Sequence, residues 1–261
     1  MMDYIGIEEA QQRTGLRLVL TVGVPGPWGE AAKGVFHVKK IPYLAVAQLG
    51  GQANDELRAW TGHDNAPQAI YETEPPRIHV SEILFLAERL EPNPPLIPTD
   101  PGERATAFGL LHELGGEMGF AWCRRLQLFH PILTLPEGAV PAPLIESVSR
   151  MAAKYGYSPE QAALADQRVV EILELLSDTL REQRDRGSGF LVGDRLSAVD
   201  IYWATFAAMV EPLPHDQCPM DDMLRGSYTL SDEKALAAVD PLLLEHRDRI
   251  YRDSLELPLQ F

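Results

Sequence analysis

The sequence predicts an α/β domain followed by an all-helical domain, and three observations lead to that fold class. Short apolar runs alternate with helix-forming segments up to residue 90, which is typical of α/β proteins. Residues 91–101 contain five prolines, which exclude a regular helix and stiffen the chain. Beyond them the strand signals nearly vanish. We therefore expect an α/β domain at residues 1–92, a linker at 93–101 and a helical domain at 102–261.

The elements of the first domain are predicted in the order βαβαββα. Leu and Val dominate the first strand, as in a buried strand, and a Val-Pro-Gly-Pro turn separates it from the first helix. Two short runs around a Glu-Pro-Pro turn predict a hairpin, and the last helix has its apolar residues on one side. The predicted strands are 16–22, 42–47, 68–72 and 77–80, and the predicted helices are 28–40, 54–60 and 81–90.

The second domain is predicted to begin with one long helix at residues 101–129. Gly115, Gly116 and Gly119 interrupt its pattern, and each costs about 1 kcal/mol relative to Ala in a helix interior. We expect compensation, either by close approach of another helix or by room for a ligand. The other predicted helices are 144–155, 158–186, 197–210 and 231–251.

Composition excludes several classes of partner. The formal net charge is −15, which disfavours nucleic acids and anionic membranes because both need a basic face. No apolar window approaches the ~20 residues of a membrane span, and the N-terminus lacks the pattern of a signal peptide. Two cysteines do not form a disulfide framework. We expect a cytoplasmic protein without nucleic-acid or membrane partners.

The loop around Cys218 offers metal-ligand types without the spacing of a metal site. His215, Asp216 and Cys218 lie within four residues. Zinc sites take four ligands, usually as two closely spaced pairs, and no second pair follows at such a distance. We expect no metal site.

The sharpest local signal is the start of a buried helix at Ser197. Ser197 is a preferred N-cap, and Asp200 three residues later forms a short version of the capping box. Leu196 and Ile201 occupy the two positions of a hydrophobic staple. A continuous apolar run follows, so the capped helix is expected to lie in a core.

This helix start resembles a signature of the glutathione transferase family. Residues 190–200 match its Phe-Leu-x-Gly-Asp-x-x-Ser-x-x-Asp pattern. Residues 83–90 are similar to the Leu-Ala-Glu-Arg helix that closes the family's thioredoxin-like domain, and Ala66-Pro67 stands where the family has a hydrophobic residue and a cis-proline. The resemblance covers about residues 16–210. It implies a thioredoxin-like first domain, a helical second domain and a homodimer.

The resemblance also implies an enzyme with glutathione as co-substrate. The glutathione thiolate would attack a small hydrophobic electrophile by conjugation, ether cleavage, dehalogenation or isomerisation. A helix N-terminus stabilises such a thiolate. In the matching segment, residues 25–30, Gly26 stands at the activating position, so the catalytic groups are expected in the backbone near Gly26 and Trp28 or at Thr21, the nearest hydroxyl.

Five residues are expected to bind glutathione if the resemblance holds. The backbone of Ala66, before Pro67, would pair with the cysteine moiety as an added strand does. The γ-glutamyl end would lie near His79, Ser81 and Glu82, where the family's Glu-Ser pair is replaced by shifted residues in reverse order.

The long helix after the linker lines the substrate pocket in the family. His112, Gly116 and Trp122 are therefore the expected pocket residues, with Cys123 beside them as a buried small hydrophobe. Trp28 would either stack on a ligand or anchor the core between the first strand and helix.

Two other functions are open at the level of sequence. Gly26 and the altered Glu-Ser pair favour a non-catalytic glutathione-transferase-like carrier or interaction module. A pocket that accepts a different thiol, or none, is the other alternative.

Overall fold

The computed structural model describes residues 2–136 and 138–261, and it confirms the predicted fold class. A four-stranded mixed sheet with its helices is followed by a helical part. The strands are β1 (Tyr4–Ile5), β2 (Leu16–Thr21), β3 (Leu44–Gln48) and β4 (Gln68–Tyr71). The helices that accompany them are α1 (Ile7–Gln12), α2 (Pro27–Val38), α3 (Asp55–Thr61) and α4 (Val80–Leu90).

Three strand ends lie at one edge of the sheet: the ends of β2 and β3 and the start of β4. The strand order is β1-β3-β2-β4, with β3 parallel to β1 and β2 and with β4 antiparallel to β2. Thr21 at the end of β2 pairs with Gln48 at the end of β3. Gln68 opens β4 opposite Val19. The carboxyl edge of the parallel strands therefore also carries the chain segment that enters β4.

The two faces of the sheet have separate cores. Successive side chains of a strand point to opposite faces. Leu18 and Leu20 of β2 belong to a large core shared with α2, α4 and the helical part, whereas Val19 packs with Val46 and Leu57 under α1 and α3. The sheet is thereby fixed between helices, and its large-core face is continuous with the second half of the chain.

Two predictions for the first domain were wrong. β1 and α1 were not predicted, because a two-residue strand has no measurable alternation. The predicted strand 77–80 is reduced to a single bridge between Ala69 and Arg77, and Val80 already opens α4. Pro75 and Pro76 lack the N–H groups that a longer ladder needs.

Residues 91–100 connect α4 to the helical part as an irregular segment. The domain boundaries at residues 92 and 102 stay a prediction. The helices that follow are α5 (Pro101–Gly115), α6 (Phe120–Leu133), α7 (Ala142–Lys154), α8 (Pro159–Asp185), α9 (Ala198–Phe206), α10 (Asp222–Tyr228), α11 (Glu233–Ala237) and α12 (Pro241–Ser254). None of the helices that the structure describes is long and apolar enough to span a bilayer.

The predicted single helix 101–129 was wrong, because the chain breaks between α5 and α6. Gly116 is extended, and Met118 has a φ of 55°. A Cβ at Gly119 would lie 2.7 Å from the carbonyl oxygen of His112. The chain turns back on the last turn of α5 too closely for a side chain at this position, so the glycines permit a break rather than a continuous helix.

The C-terminal prediction was wrong in two places. The predicted helix 231–251 is divided into α11 and α12, because Asp240 caps a new helix and Pro241 cannot continue the previous one. Helix α10 lies where a connection was expected, and the carboxylate of Asp221 caps it.

The predicted helix start at Ser197 is confirmed. The carboxylate of Asp200 accepts the hydrogen bonds that hold it in place. One carboxylate oxygen of Asp200 accepts hydrogen bonds from the N–H of Leu191 at 2.8 Å and from Nε2 of His246 at 3.0 Å. The other oxygen accepts from the N–H and the hydroxyl of Ser197, both at 2.8 Å. Asp200 is completely buried. One side chain thus joins the loop before α9, α9 itself and α12.

Replacing Asp200 is expected to unfold much of the helical part. Asp200→Ala leaves four buried donors without their acceptor. Each buried donor left unsatisfied costs about 1–3 kcal/mol, so the loss of stability should be large. Ser197→Ala removes the N-cap hydroxyl, which is one of the four donors to Asp200, and should cost about 0.5–2 kcal/mol. Urea unfolding measures both changes. Asp194→Ala is the matched control, because Asp194 is exposed in the same loop and should leave the unfolding free energy unchanged. Equal stability of the Asp200→Ala and Asp194→Ala variants would contradict this account.

Candidate functional site

A cavity of about 710 Å³ is lined by residues of both halves of the chain. Ligand pockets typically have about 300–1,000 Å³. The first half contributes α2, the segment before β4 and the start of α4; the second half contributes α5, α6, the end of α7 and α9. The cavity is therefore formed where the sheet part and the helical part meet.

Four of the five residues predicted to bind glutathione line this cavity. They are Ala66, Pro67, His79 and Ser81. The Ala66–Pro67 peptide bond is cis, as predicted. The N–H of Ala66 has no hydrogen-bond partner among the described residues. This wall of the cavity thus presents a backbone donor together with an imidazole and a hydroxyl.

Glu82, the fifth residue, lies outside the cavity lining and caps α4. Its carboxylate accepts hydrogen bonds from the N–H groups of Ile78 at 2.9 Å and His79 at 3.1 Å. Partial burial would raise the pKa of Glu82, but these hydrogen bonds outweigh it and hold the pKa below its ordinary value. Glu82 therefore stabilises the local turn that presents His79 and Ser81.

The residues predicted for the substrate pocket form the opposite part of the cavity. His112, Gly116 and Trp122 line it, together with Trp28. The indole N–H of Trp28 donates to the carbonyl of Gly115 at 2.9 Å, and that of Trp122 donates to the carbonyl of Tyr155 at 3.1 Å. Because both indole N–H groups are used within the protein, the rings offer the cavity only apolar surface.

The glycines at the end of α5 provide space for two of these side chains. A Cβ at Gly115 would lie 3.2 Å from Nε1 of Trp28 and 3.3 Å from Cζ of Phe206. A Cβ at Gly116 would lie 2.3 Å from Nδ1 of His112. Close approach of Trp28 and Phe206 therefore accounts for Gly115, whereas Gly116 lies at the break after α5 and leaves space for His112.

Only one of the three residues predicted to be catalytic lines the cavity. Trp28 lines it, whereas Thr21 and Gly26 belong to the described residues outside the lining. The hydroxyl of Thr21 donates to Oε1 of Gln48 at 2.7 Å. Gly26 is the N-cap of α2 and supplies no side chain to it. The start of α2 therefore offers backbone donors only.

The acidic residue in the first turn of α2 faces away from the cavity. Nζ of Lys33 donates to both oxygens of Glu30, at 2.8 and 2.9 Å, and to the carbonyl of Gln260. Burial raises the pKa of Glu30 although Lys33 opposes this change. Its charge is thereby held within a contact between α2 and the C-terminal residues.

The sequence reasoning missed many of the cavity residues, among them three from the distant helices α7 and α9. Lys154 and Tyr155 come from the end of α7, and Tyr202 comes from α9. Burial raises the pKa of both tyrosines, so both phenols are neutral at neutral pH. Nζ of Lys154 lies 2.6 Å from the carboxylate of Asp64, near Ala66. No local signal marks these residues, since their position depends on how distant helices pack.

One family model matches a segment of the helical part. Residues 125–217 match the model of the glutathione S-transferase C-terminal domain. Comparison with curated protein sequences gives no match.

Solved glutathione transferases share the fold. A glutathione S-transferase from Methylobacterium radiotolerans, in complex with glutathione sulfonate, is 18% identical over 93% of each chain with a TM-score of 0.58. A homologue from Sulfitobacter with bound glutathione is 18% identical over 93% of this chain and 96% of that chain, with a TM-score of 0.56. Maleyl pyruvate isomerase, a bacterial Zeta-class enzyme, is 15% identical over 92% and 94%, with a TM-score of 0.59. The resemblance stated from the sequence is confirmed, and at these identities the structures show the fold alone.

The glycine at the end of α5 gives a test of the cavity wall. Gly115→Ala should destabilise the protein by about 1–3 kcal/mol, because the new methyl group displaces Trp28 and Phe206. Thermal unfolding, with tryptophan fluorescence as the signal, measures the change. Gly109→Ala on the same helix is the control: nothing lies within 4 Å of its Cβ, so it should be neutral or stabilising by up to ~1 kcal/mol. A Gly115→Ala protein as stable as Gly109→Ala would show that Trp28 is not packed in this way.

Proposed function

We propose that this chain is a glutathione S-transferase that binds glutathione and delivers its thiolate to a small hydrophobic electrophile. The observation that supports the proposal most is the shared cavity. It brings the residues that the resemblance assigns to glutathione, such as Ala66 and Ser81, into one space with those assigned to the substrate, such as His112 and Trp122. A transferase needs this juxtaposition, because its two reactants must meet in one site.

Glutathione fits the wall formed by the segment before β4 and the start of α4. Its cysteine moiety would pair with the free N–H of Ala66, in the manner of an added strand. Its γ-glutamyl carboxylate would lie near His79 and Ser81, in the first turn of α4, where the helix dipole favours an anion.

The thiol would then point toward the start of α2. The backbone N–H groups of Trp28 and Gly29 lie in the first turn there. A helix N-terminus stabilises an anion by about 0.3–1 kcal/mol, and by up to ~2 when partly buried. At 1.36 kcal/mol per unit, this lowers the thiol pKa by about one unit. Activation should therefore be modest.

The second substrate would occupy the apolar part of the cavity. Tyr155 lies beside both tryptophans there, with its ring centroid 6.3 Å from that of Trp28 and 4.7 Å from that of Trp122. With their indole N–H groups used elsewhere, these rings recognise flat apolar groups by contact. This supports a small hydrophobic electrophile over a strongly polar one.

A non-catalytic binding protein is the second candidate function. Gly26 brings no hydroxyl or thiol to the start of α2, and the hydroxyl of Thr21 is donated to Gln48. In this alternative the cavity holds glutathione, or another thiol, without activating it.

Titration calorimetry with glutathione tests binding. The wild-type protein should bind, and His79→Ala and Ser81→Ala should each weaken binding by about three- to tenfold, the effect of one lost hydrogen bond. His215→Ala is the control, because His215 is exposed in the loop before α10. Absence of binding by the wild type would refute the proposal and would favour a different thiol or none.

The pH dependence of conjugation separates the two candidate functions. With an activated aryl halide, the enzyme-catalysed rate should be low at pH 7 and should rise through pH 8–9 as the bound thiol ionises. Fast turnover at neutral pH would mean that a side chain, rather than the α2 backbone, activates the thiol. Binding without any rate above the uncatalysed reaction would favour the carrier.

We also propose that the protein is a homodimer through α4 and α5. Phe85 is 46% exposed. It stacks on Phe108 with centroids 5.5 Å apart and an interplanar angle of 20°, and Arg104 lies over both rings. Exposed aromatic and arginine side chains of this kind are typical of interface hot spots.

Sedimentation velocity tests the dimer. The wild type should sediment at twice its chain mass of 29.0 kDa, and Phe85→Glu should shift it to the monomer. Leu175→Glu, an equally exposed apolar position on α8, should leave the mass unchanged. A monomeric wild type at micromolar concentration would refute the dimer.

A cytoplasmic location completes the proposal. Cys123 and Cys218 are both free and buried, in keeping with a reducing compartment. The net charge of −15 disfavours binding to nucleic acids and anionic membranes, because both are negatively charged.

A further inference from the structure

Thr21, Gln48 and Gln68 meet at the edge of the sheet below the cavity. Thr21 and Gln48 end the parallel strands β2 and β3 and pair directly, and Gln68 opens β4 at the same edge. Gln68 is completely buried and Gln48 is 7% exposed. Burying an amide is costly unless its polar atoms are hydrogen-bonded. Three of the four side-chain amide atoms of Gln48 and Gln68 have partners, and Oε1 of Gln68 is the one without a partner among the described residues.

The amide of Gln48 is held at both ends. Its Nε2 donates to the backbone carbonyl of Asp64 at 3.2 Å, and its Oε1 accepts from the hydroxyl of Thr21 at 2.7 Å. A carbonyl only accepts hydrogen bonds, so it must face Nε2. Oε1 then points to Thr21, whose hydroxyl is the donor that this orientation requires. Thr21 therefore locks the amide in the orientation that holds Asp64.

The neighbouring carbonyls are held by two further side chains. Nε2 of Gln68 donates to the carbonyls of His63 at 3.1 Å and Asn65 at 2.7 Å. The hydroxyl of Thr61 also donates to the carbonyl of His63, at 2.9 Å. The three successive backbone carbonyls of residues 63–65 thus accept hydrogen bonds from side chains of the sheet part.

Residues 63–66 also contact the helical part, through the side chain of Asp64. The carboxylate of Asp64 contacts Arg58 of α3 and lies 2.6 Å from Nζ of Lys154 at the end of α7. The next residues along the chain are Asn65 and Ala66, both in the cavity lining. The position of the free Ala66 N–H is therefore determined by these contacts rather than by a helix or strand of its own.

We propose that Thr21 is a positioning residue that acts through Gln48 to hold residues 63–66 in the conformation that receives a ligand at Ala66. The part of this inference that concerns glutathione rests on the proposed function. Thr21 would then set the affinity for glutathione and leave the acidity of the bound thiol unchanged. This differs from the catalytic role that proximity to α2 assigns to the Thr21 hydroxyl.

Hydrogen–deuterium exchange of the ligand-free protein tests directly whether Thr21 holds residues 63–66 in place. Thr21→Val keeps the side-chain shape and removes the donor to Gln48. Amides in a peptide spanning residues 62–70 should exchange several-fold faster in this variant, and Thr21→Ser should restore the wild-type rate. Thr179→Val is the matched control: Thr179 is a half-buried threonine on α8 whose hydroxyl donates a single hydrogen bond to its own helix, and its substitution should leave this peptide unchanged.

Glutathione binding and turnover test the consequence. Thr21→Val should weaken glutathione binding by about three- to tenfold with the pKa of the bound thiol and kcat at saturation unchanged. Gln48→Met should have the same effect, and the double variant should be no worse than Gln48→Met alone, because both substitutions break one chain of contacts.

The outcomes distinguish this proposal from the proposed function. Unchanged exchange at residues 62–70 in Thr21→Val would overturn the positioning role whether or not glutathione binds. A raised thiol pKa and a lower kcat with unchanged affinity would overturn it in favour of direct activation by Thr21. A wild-type protein that does not bind glutathione would refute the proposed function alone, while the exchange experiment would still decide the bracing of residues 63–66.

Discussion

The buried carboxylate of Asp200 is the interaction on which the helical part depends. It accepts hydrogen bonds from the loop before α9, from the N-cap of α9 and from His246 of α12. Helix α9 in turn carries Tyr202 into the cavity lining and packs Ile201 against α2. A Cβ at Gly34 of α2 would lie only 2.8 Å from that isoleucine. The Asp200 carboxylate thereby holds α9, and α9 packs on α2 where the two halves of the chain meet.

The two halves of the chain supply different kinds of groups to the cavity. The sheet part supplies backbone and polar groups around Ala66 and Ser81, and the helical part supplies aromatic surface around Trp122 and Tyr155. A peptide-like ligand and an apolar ligand would each find one suitable wall. The contact between Lys154 and Asp64 joins the two walls near the point where such ligands would meet.

The parts of the fold that the sequence predicted correctly are those with a strong local cause. The strand β2 follows from a run of Leu and Val, and the start of α9 follows from a capping box that the structure contains. The break between α5 and α6 was missed, because the pattern of apolar residues does not show that the chain turns back over His112. Tyr155 and Tyr202 were missed as cavity residues, because only the packing of distant helices brings them to Ala66. The predicted glutathione residues came from a family pattern and not from physical signals, which is why Glu82 was included although it serves as a helix cap.

The indole rings of Trp28 and Trp122 at the cavity wall should make the tryptophan fluorescence of the protein sensitive to a bound ligand. The chain has four tryptophans, and Trp28 and Trp122 face the space that a ligand would fill. Trp203, by contrast, is buried with its N–H bound to the carbonyl of Leu243. Two of the four tryptophans therefore lie beside the cavity, and their indole N–H groups are bound within the protein. Water leaving those ring faces would shift the emission to shorter wavelength, so the unlabelled protein carries its own optical signal for an occupied site.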